Sequence, residues 1–276
     1  GFTVGDNGGT NRSGNTYVAW CFKANGGTTA SNGDGSITST VQVNEDAGFS
    51  IIKFTGNATA GATIGHGLSQ TPDLYIMKNL ERATKWPVHT QDVGSLSGSQ
   101  TAALNETAVF GSFSYSATAT VITTSQYNDR NPSGEEMIVY AFHSVDGYSK
   151  FGSYTGNAST NGPIVETGFE VGYLMIKRTD SADNWYIVDN KRSTTNPRQA
   201  ALFANLSDAE YPTYGAKADF LSNGFQIVST DNSTNADGGT YIYMAFAVDP
   251  DTEQPTLADS FDVEIYDMTG GSDYDL

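Results

Sequence analysis

The stretch GFSIIKFTGNA at residues 48–58 returns about 100 residues later as GYSKFGSYTGNA at residues 147–158. Self-similarity at a fixed period of this size is typical of a repeat architecture. The same offset carries further matches: LYIMK (74–78) with YLMIK (173–177), and Trp86 with Trp185. We therefore predict two tandem units, one at residues 48–146 and one at residues 147–248.

Each unit closes on a similar apolar stretch, MIVYAF at residues 137–142 and YIYMAF at residues 241–246. The same stretch stands near the start of the chain as YVAWCF at residues 17–22. A glycine precedes every copy by three residues: Gly14, Gly134 and Gly238. We predict residues 1–24 to be the orphan hairpin of an incomplete unit, which needs a sheet to join because two strands alone are marginal in water. Its defining positions are Tyr17, Ala19, Cys21 and Phe22.

The composition favours strands over helices. The chain of 276 residues contains 30 Gly, 15 Tyr and 14 Phe; aromatic residues are enriched in strands, whereas glycine weakens helices. Within each unit the apolar runs are short and are separated by turn residues, without helical periodicity. The sequence therefore predicts an all-β fold made of two tandem antiparallel β-sandwiches of jelly-roll type, with extra strands at both ends.

Two alternating stretches lie outside the units. Residues 25–47 are predicted to be a Gly/Ser/Thr/Asn-rich linker with one strand, and residues 249–276 an acidic tail with one strand. Alternation of apolar and polar residues is typical of a half-buried strand. We predict that these two strands act in assembly, by adding to a sheet of a neighbouring subunit. Their apolar residues are Ile37, Val41, Val43, Phe261, Val263 and Ile265.

The net charge limits the partners of the chain. The formal charge is −17 at pH 7, and nucleic-acid binding needs Lys and Arg to replace counterions. We therefore expect no nucleic-acid partner, and an anionic membrane surface is disfavoured for the same reason. No apolar run has the length of a membrane span, so no membrane insertion is expected. The single cysteine, Cys21, cannot form an intramolecular disulfide.

Several long segments, in order along the chain, resemble a domain of unassigned function found in virion and tail-fibre-like proteins of bacteriophages, especially aquatic phages. They include NTYVAWCFKANGGT (15–28), DGSITSTVQVNEDAGFSI (34–51), GYLMIKRTDSADNWYIVDNKR (172–192) and GGTYIYMAFA (238–247). Such segments are spread over most of residues 15–248. The resemblance implies a structural protein of tandem β-sandwich units and transfers no catalytic residues.

Catalysis has little support in the sequence. The three histidines, His66, His89 and His143, all fall in the first unit, so the two units cannot share a histidine site. No G-x-S-x-G element for a serine nucleophile occurs, and one cysteine with scattered histidines disfavours a zinc site. We expect no enzymatic activity. A polysaccharide hydrolase that uses two of the 31 acidic residues stays an open alternative.

No cofactor is expected, and calcium is the open alternative because its oxygen ligands follow loose spacing rules. Three places combine Asp, Asn or Glu side chains: Asn32 with Asp34; Asp231 and Asn232 with Asp237; and Asp249 with Asp251 and Glu253. The same residue types also form ordinary β-turns, so the pattern alone does not select calcium.

Two pairs of residues that are equivalent by the repeat are candidates for contact with sugars. The rings of Trp86 and Trp185 have the shape to stack on a sugar, although a repeated tryptophan more often belongs to a core. Asn57 and Asn157 are candidate glycosylation sites, because each begins an N-x-S/T sequence.

Together these patterns favour a non-enzymatic structural subunit of an extracellular or virion-associated filament. Its expected partner is another copy of itself, joined head to tail by strand addition, a contact that propagates unless it closes a ring. Two alternatives stay open: a carbohydrate- or receptor-binding module of a phage tail fibre, and a polysaccharide hydrolase on a jelly-roll scaffold. The binding alternative adds a cell-surface glycan as a partner.

Overall fold

The computed structural model describes residues 2–91, 93–94, 98–248, 261–267 and 274–275, the last two ranges as backbone strands. These residues form twenty-two β-strands and one four-residue α-helix. Every ladder between these strands is antiparallel. The predicted all-β, sandwich-like class is therefore confirmed.

The strands before residue 147 are β1 (Thr3–Val4), β2 (Thr16–Phe22), β3 (Ala30–Asn32), β4 (Ser39–Asn44), β5 (Phe49–Thr55), β6 (Ala62–Gly65), β7 (Leu74–Asn79), β8 (Pro87–Gln91), β9 (Ser99–Ala103), β10 (Gly111–Ser112), β11 (Val121–Thr124) and β12 (Glu136–Phe142). The second unit contains β13 (Ser149–Thr155), β14 (Ile164–Glu166), β15 (Val171–Arg178), β16 (Trp185–Asp189), β17 (Leu202–Phe203), β18 (Ala218–Leu221), β19 (Gly224–Ile227), α1 (Asn232–Asn235) and β20 (Thr240–Ala247). Two more strands follow, β21 (Phe261–Asp267) and β22 (Tyr274–Asp275).

The first unit is a sandwich of a large and a small sheet. The large sheet has eight strands in the order β10-β9-β8-β7-β12-β5-β4-β3, and the small sheet pairs β6 with β11. Apolar residues on one face of the large sheet, such as Ile52, Met77 and Val139, share a buried core with Ile64 and Ile122 of the small sheet. Removal of this apolar surface from water is the main term that stabilises the sandwich.

The edge of the large sheet is formed by β3 and β4, although the sequence predicts one strand in a linker over residues 25–47. Val41 lies opposite Ile52 of β5, and Ile37 forms a bridge with Ile64 of the small sheet. Both side chains belong to the core of the first unit. The alternating pattern thus identifies a strand correctly, but its apolar face is used within its own unit.

The second unit repeats this plan. Its five-stranded sheet has the order β13-β20-β15-β16-β17, and its small sheet has the order β14-β19-β18. Strands β13, β20, β15 and β16 thus take the places of β5, β12, β7 and β8. The core between these two sheets contains large, fully buried aromatic side chains, including Tyr186, Phe225 and Tyr241.

A third core lies between the units, where the outer faces of the two large sheets meet. Phe49, Val88 and Phe142 of the first unit share it with Trp185 and Phe246 of the second. Each large sheet is therefore covered on both faces, which explains why β15, β16 and β20 are apolar nearly throughout rather than alternating.

The first strands of the chain pair with the last ones. β2 pairs with β21 along seven positions, and β1 pairs with β22 along two. The prediction of an orphan hairpin is wrong in this respect, because β1 and β2 do not form a ladder with each other in the described residues. The apolar face of β2, with Val18, Trp20 and Phe22, packs on the core between the units. No helix in the described part of the chain has the length and apolar character needed to cross a membrane.

Candidate functional site: an apolar junction of three strands

The closing strands β12 and β20 present equivalent residues to the core between the units. Tyr140 and Phe142 point there from β12, and Met244 and Phe246 from β20. In β2 the matching residues, Trp20 and Phe22, point to the same core. We call this meeting point of β2, β12 and β20 the junction. The period of two along each strand brings the same alternate positions to one place.

Three equivalent phenylalanines form the centre of the junction. The ring centroids of Phe22 and Phe142 are 5.6 Å apart, those of Phe22 and Phe246 are 5.1 Å apart, and those of Phe142 and Phe246 are 6.3 Å apart. All three pairs are T-shaped, which is a favourable geometry for aromatic rings. β2 therefore occupies the third place in a threefold arrangement, rather than lying on the surface of two finished units.

A cavity of about 440 Å³ opens beside these rings. Its walls include Trp20, Tyr140 and Met244, again at matching positions of the three strands. The remaining wall residues are Phe22, Phe49, Ile51, Ile76, Leu104, Phe142, Tyr173, Met175, Ile187 and Ala204. Such a lining fits apolar groups and offers neither the paired carboxylates of a glycoside hydrolase nor a base for a nucleophile.

Trp20 is the anchor of β2. Its ring meets Tyr173 edge to face, with centroids 5.6 Å apart, and the guanidinium of Arg192 lies 5.6 Å from its centroid. Arg192 is held by two ion pairs, at 2.6 Å to Asp189 and 2.8 Å to Glu210. Burial raises the pKa of Tyr173, so its hydroxyl stays neutral. The surface on which β2 packs therefore combines an aromatic contact with an arginine that two carboxylates hold in place.

A buried lysine joins the two units at the edge of the core. The Nζ of Lys177 donates to the carbonyl of Thr107 in the first unit at 3.2 Å, and to the carbonyl of Arg178 at 2.9 Å. Desolvation lowers the pKa of Lys177 to about 8. In the first unit the matching Lys78 donates to the carbonyls of Asn79 and Arg82. Both lysines thus donate to backbone carbonyls.

The three histidines do not form a site. His66 accepts from the N–H of Leu68 at 3.1 Å and lies 3.1 Å from the carbonyl of Thr118. His143 lies 2.9 Å from the carbonyl of Ser144. His89 is fully buried, and neither ring nitrogen has a hydrogen-bond partner in the part of the chain that the structure describes. The three side chains thus have separate hydrogen-bonding surroundings within the first unit.

His89 should make the protein sensitive to acid. Its ring is stacked on Tyr75, and desolvation lowers its pKa well below the ordinary value, with a smaller contribution from Arg130. The unfolded chain binds a proton at His89 near pH 6.5, whereas the folded protein keeps the ring neutral. The stability of the fold with neutral His89 is therefore fully present above pH 6.5 and is lost as the pH falls towards the folded-state pKa. Between pH 7 and 5 the free energy of unfolding should fall by up to about 2 kcal/mol from this residue. Urea titrations at both pH values should show a smaller fall in His89→Phe. The exposed Tyr127→Phe should behave as wild type.

The oxygen-rich places proposed for calcium are separate turns. Asn32 and Asp34 bond to each other, with Asn32 Nδ2 3.1 Å from Asp34 Oδ2. Asp231 caps α1 by accepting from the N–H and hydroxyl of Ser233. The described residues contain no cluster of three or more His, Cys, Asp or Glu suited to a metal. Asp249, Asp251 and Glu253 lie outside the described residues, so calcium stays a prediction.

The candidate glycosylation sites are exposed, and each takes part in a clasp with a buried asparagine. The N–H of Asn57 donates to Asn131 Oδ1 at 2.8 Å, and the N–H of Asn157 donates to Asn235 Oδ1 at 2.8 Å. Asn131 and Asn235 return hydrogen bonds from Nδ2 to the side-chain oxygens. Neither of these two buried residues is predicted from the sequence pattern. Their position three residues before a repeated glycine, Gly134 or Gly238, is the signal that would have found them.

The two repeated tryptophans have different surroundings. Trp185 is buried in the core between the units, and its indole N–H donates to the carbonyl of Ala103 at 2.9 Å. Trp86 is half-buried at the edge, with Lys78 Nζ 5.8 Å from its ring centroid. The core interpretation therefore holds for one member of the pair only.

The predicted assembly strands reach two different places. Ile37, Val41 and Val43 lie within the first unit. In β21, Phe261 lies opposite Phe22, Val263 opposite Trp20, and Ile265 opposite Val18. The predicted hairpin positions Tyr17, Ala19 and Cys21 alternate with the junction residues along β2 and are partly exposed. The structure thus brings the tail strand, but not the strand at 39–44, to the junction.

Comparison with known proteins identifies a family for this chain. Residues 1–250 match the family described as a domain of unknown function, DUF7483. No curated protein matches the chain, and no solved structure does. The match includes both units and β2, and it ends before β21. The chain therefore belongs to the DUF7483 family.

Proposed function

We propose that this protein is a non-enzymatic structural subunit of an extracellular or virion-associated filament. Subunits join head to tail when β21 of one copy pairs with β2 of the next. The observation that carries this proposal is the seven-position ladder between β2 and β21, two strands that are separated by both complete units in the sequence. Strand addition of this kind takes its affinity from backbone hydrogen bonds and its register from side-chain pockets.

The surface on which β2 packs supports the proposal. A two-stranded ribbon is marginal in water, so it needs a surface on which to pack. β2 has that surface in the junction, through the contacts of Trp20 with Tyr173 and of Phe22 with Phe142 and Phe246. β2 is thus held in place by its own chain, and β21 is the strand that can come from either copy.

The chain segment between β20 and β21 makes both arrangements available. Residues 248 and 261 are separated by thirteen steps along the chain, and a chain extends by up to about 3.5 Å per residue. Exchange of an identical element between copies costs little, because the same contacts form in the closed and in the exchanged state. Repeated exchange in one direction produces a filament.

Electron microscopy of the full chain, together with sedimentation, tests the proposal. We expect filaments that grow with protein concentration, and we expect a variant without residues 249–276 to stay monomeric. A matched control is Ile164→Ser, which removes an exposed aliphatic side chain far from β2 in sequence and should leave the filaments intact. Filaments that persist without residues 249–276, or a full chain that stays monomeric at all concentrations, would contradict the proposal.

A further inference from the structure

The ladder between β2 and β21 repeats a ladder that both complete units contain. In the first unit the opening strand β5 pairs with the closing strand β12, and in the second unit β13 pairs with β20. Each of these ladders has seven positions, as does that of β21 with β2. In all three, the last phenylalanine of the closing strand (Phe142, Phe246 or Phe22) lies opposite the first residue of the opening strand.

The small sheets repeat in the same way. In each complete unit a strand that follows the opening strand pairs with a strand that precedes the closing strand: β6 with β11, and β14 with β19. At the chain ends, β22 follows β21, β1 precedes β2, and β22 pairs with β1. The sequence GFTV at residues 1–4 also matches GFQI at residues 224–227, which contains β19.

The turn before the closing strand is the third repeated feature. Gly14, Gly134 and Gly238 each lie two residues before their strand, with φ values of 80°, 76° and 67°. These are left-handed backbone conformations, which favour glycine. A buried asparagine lies three residues before each glycine: Asn11, Asn131 or Asn235.

The three buried asparagines differ in one hydrogen bond. In the complete units their side-chain oxygens accept from the N–H of Asn57 and of Asn157, the residues that directly follow the Thr-Gly pair after the opening strand. The equivalent oxygen, Oδ1 of Asn11, is buried and has no hydrogen-bond partner among the described residues. Buried acceptors are normally paired, so an unpaired one at this position indicates a missing donor.

We infer that the two ends of the chain are the halves of one split third unit, with the closing half first and the opening half last, and that Asn11 is its docking acceptor. The segment it fits is an opening strand of this repeat whose ninth residue, counted from the start of the strand, offers a backbone N–H, as Asn57 and Asn157 do. In the sequence, the ninth residue counted from Phe261, the start of β21, is Thr269. This inference rests on the proposed assembly only for the identity of the partner, a second copy of this chain.

The single cysteine of the chain allows a direct test of the register. Cys21 lies opposite Asp262, and opposed residues in antiparallel strands have Cα atoms about 4.5–5.5 Å apart, within the range of a disulfide. In the full chain, Asp262→Cys should therefore form a disulfide with Cys21 under mild oxidation. Glu264→Cys, two positions away and opposite Ala19, should react at least about tenfold more slowly, because its Cα lies beyond easy disulfide reach.

A second pair of cysteines tests the same register in case the geometry at the first pair disfavours a disulfide. Ala19→Cys with Glu264→Cys, in a Cys21→Ala background, tests the same register two residues along the ladder. Disulfides in either registered pair would support the split unit. A faster reaction of Cys21 with Glu264→Cys than with Asp262→Cys, or no disulfide in either registered pair, would overturn it.

The same variants separate this inference from the proposed assembly. A mixture of the native chain with a Cys21→Ala, Asp262→Cys chain can form the registered disulfide only between copies. Disulfides in this mixture support both proposals. Registered disulfides that form only within single chains support the split unit and contradict assembly between copies, whereas a shifted register contradicts the split unit in either case.

Substitution of Asn11 tests the docking acceptor itself. Asn11→Ala should slow the registered disulfide about tenfold, because the incoming N–H loses its buried acceptor. Asn11→Asp keeps that oxygen while it loses the donation from Nδ2 to the carbonyl of Gly5, and it should restore the rate. Asn15→Ala, at an exposed position in the same turn, should react as wild type. Equal rates in Asn11→Ala and Asn15→Ala would contradict the role of Asn11.

Discussion

Replacing Trp185 with alanine is expected to lower the free energy of unfolding by about 4 kcal/mol, whereas the same change at Trp86 should cost about 1 kcal/mol. The indole of Trp185 is fully buried between the units and donates to Ala103 of the first unit. Truncation removes this packing, opens a cavity and takes the indole donor from the carbonyl of Ala103, which keeps the N–H of Glu106 at 3.2 Å as a donor. Trp86 is half-buried, so most of these losses do not arise there.

The comparison is matched because the two tryptophans have equivalent backbone surroundings. The N–H of Trp86 donates to Asn105 Oδ1 at 2.9 Å, and the N–H of Trp185 donates to Asn205 Oδ1 at 2.9 Å. Chemical denaturation followed by far-ultraviolet circular dichroism measures both variants. If the two substitutions had equal effects, the core between the units would not have the stabilising role that we assign to it.

Replacing Asn235 with alanine is the second large effect that we expect, at about 3 kcal/mol. Asn235 is fully buried, and its Nδ2 donates to three oxygens, of Asn157, Ser159 and Ser229. Its Oδ1 accepts from the N–H of Asn157. Alanine removes these hydrogen bonds and leaves the carbonyl of the buried Ser229 without the donor Nδ2, and a group left unpaired where water cannot reach it costs about 1–3 kcal/mol.

Thermal and urea unfolding of Asn235→Ala, with Asn223→Ala as the control, tests this expectation. Asn223 is exposed in the same unit, so its substitution should change stability by less than about 0.5 kcal/mol. At roughly 2–4 °C per kcal/mol for a chain of this size class, the Asn235 variant should melt about 10 °C lower. A shift no larger than that of the control would mean that the clasp contributes little to stability.

The sequence predicts the fold class and the repeat well, because both depend on local patterns. Short alternating runs identify strands, and a constant offset identifies equivalent strands, as for β5 with β13. Burial of equivalent residues is harder to predict, because it depends on the packing of distant elements. Trp86 and Trp185 match in sequence, yet only Trp185 faces the opposite unit closely enough to be enclosed.

Local sequence patterns do not predict which strands pair when the two are distant in the sequence. The alternation of Val41 and Val43 marks a strand, but it does not say that β5 of the same unit is its neighbour. Nor does any local signal connect β2 with β21, which lie at opposite ends of the sequence. The buried asparagines are hidden for another reason: Asn is a common turn residue, so Asn131 and Asn235 look like ordinary loop positions.

Because of the core between the units, the repeated stretch of sequence is shorter than the stretch that can fold on its own. Each repeat leaves the outer face of its large sheet apolar, and that face is satisfied only when a second repeat and β2 close around it. One repeat in isolation would expose this patch, and patches of this kind lead to association or aggregation. A repeat therefore cannot be gained or lost as an independent domain. Any such change has to leave every apolar outer sheet face covered by another repeat or by β2.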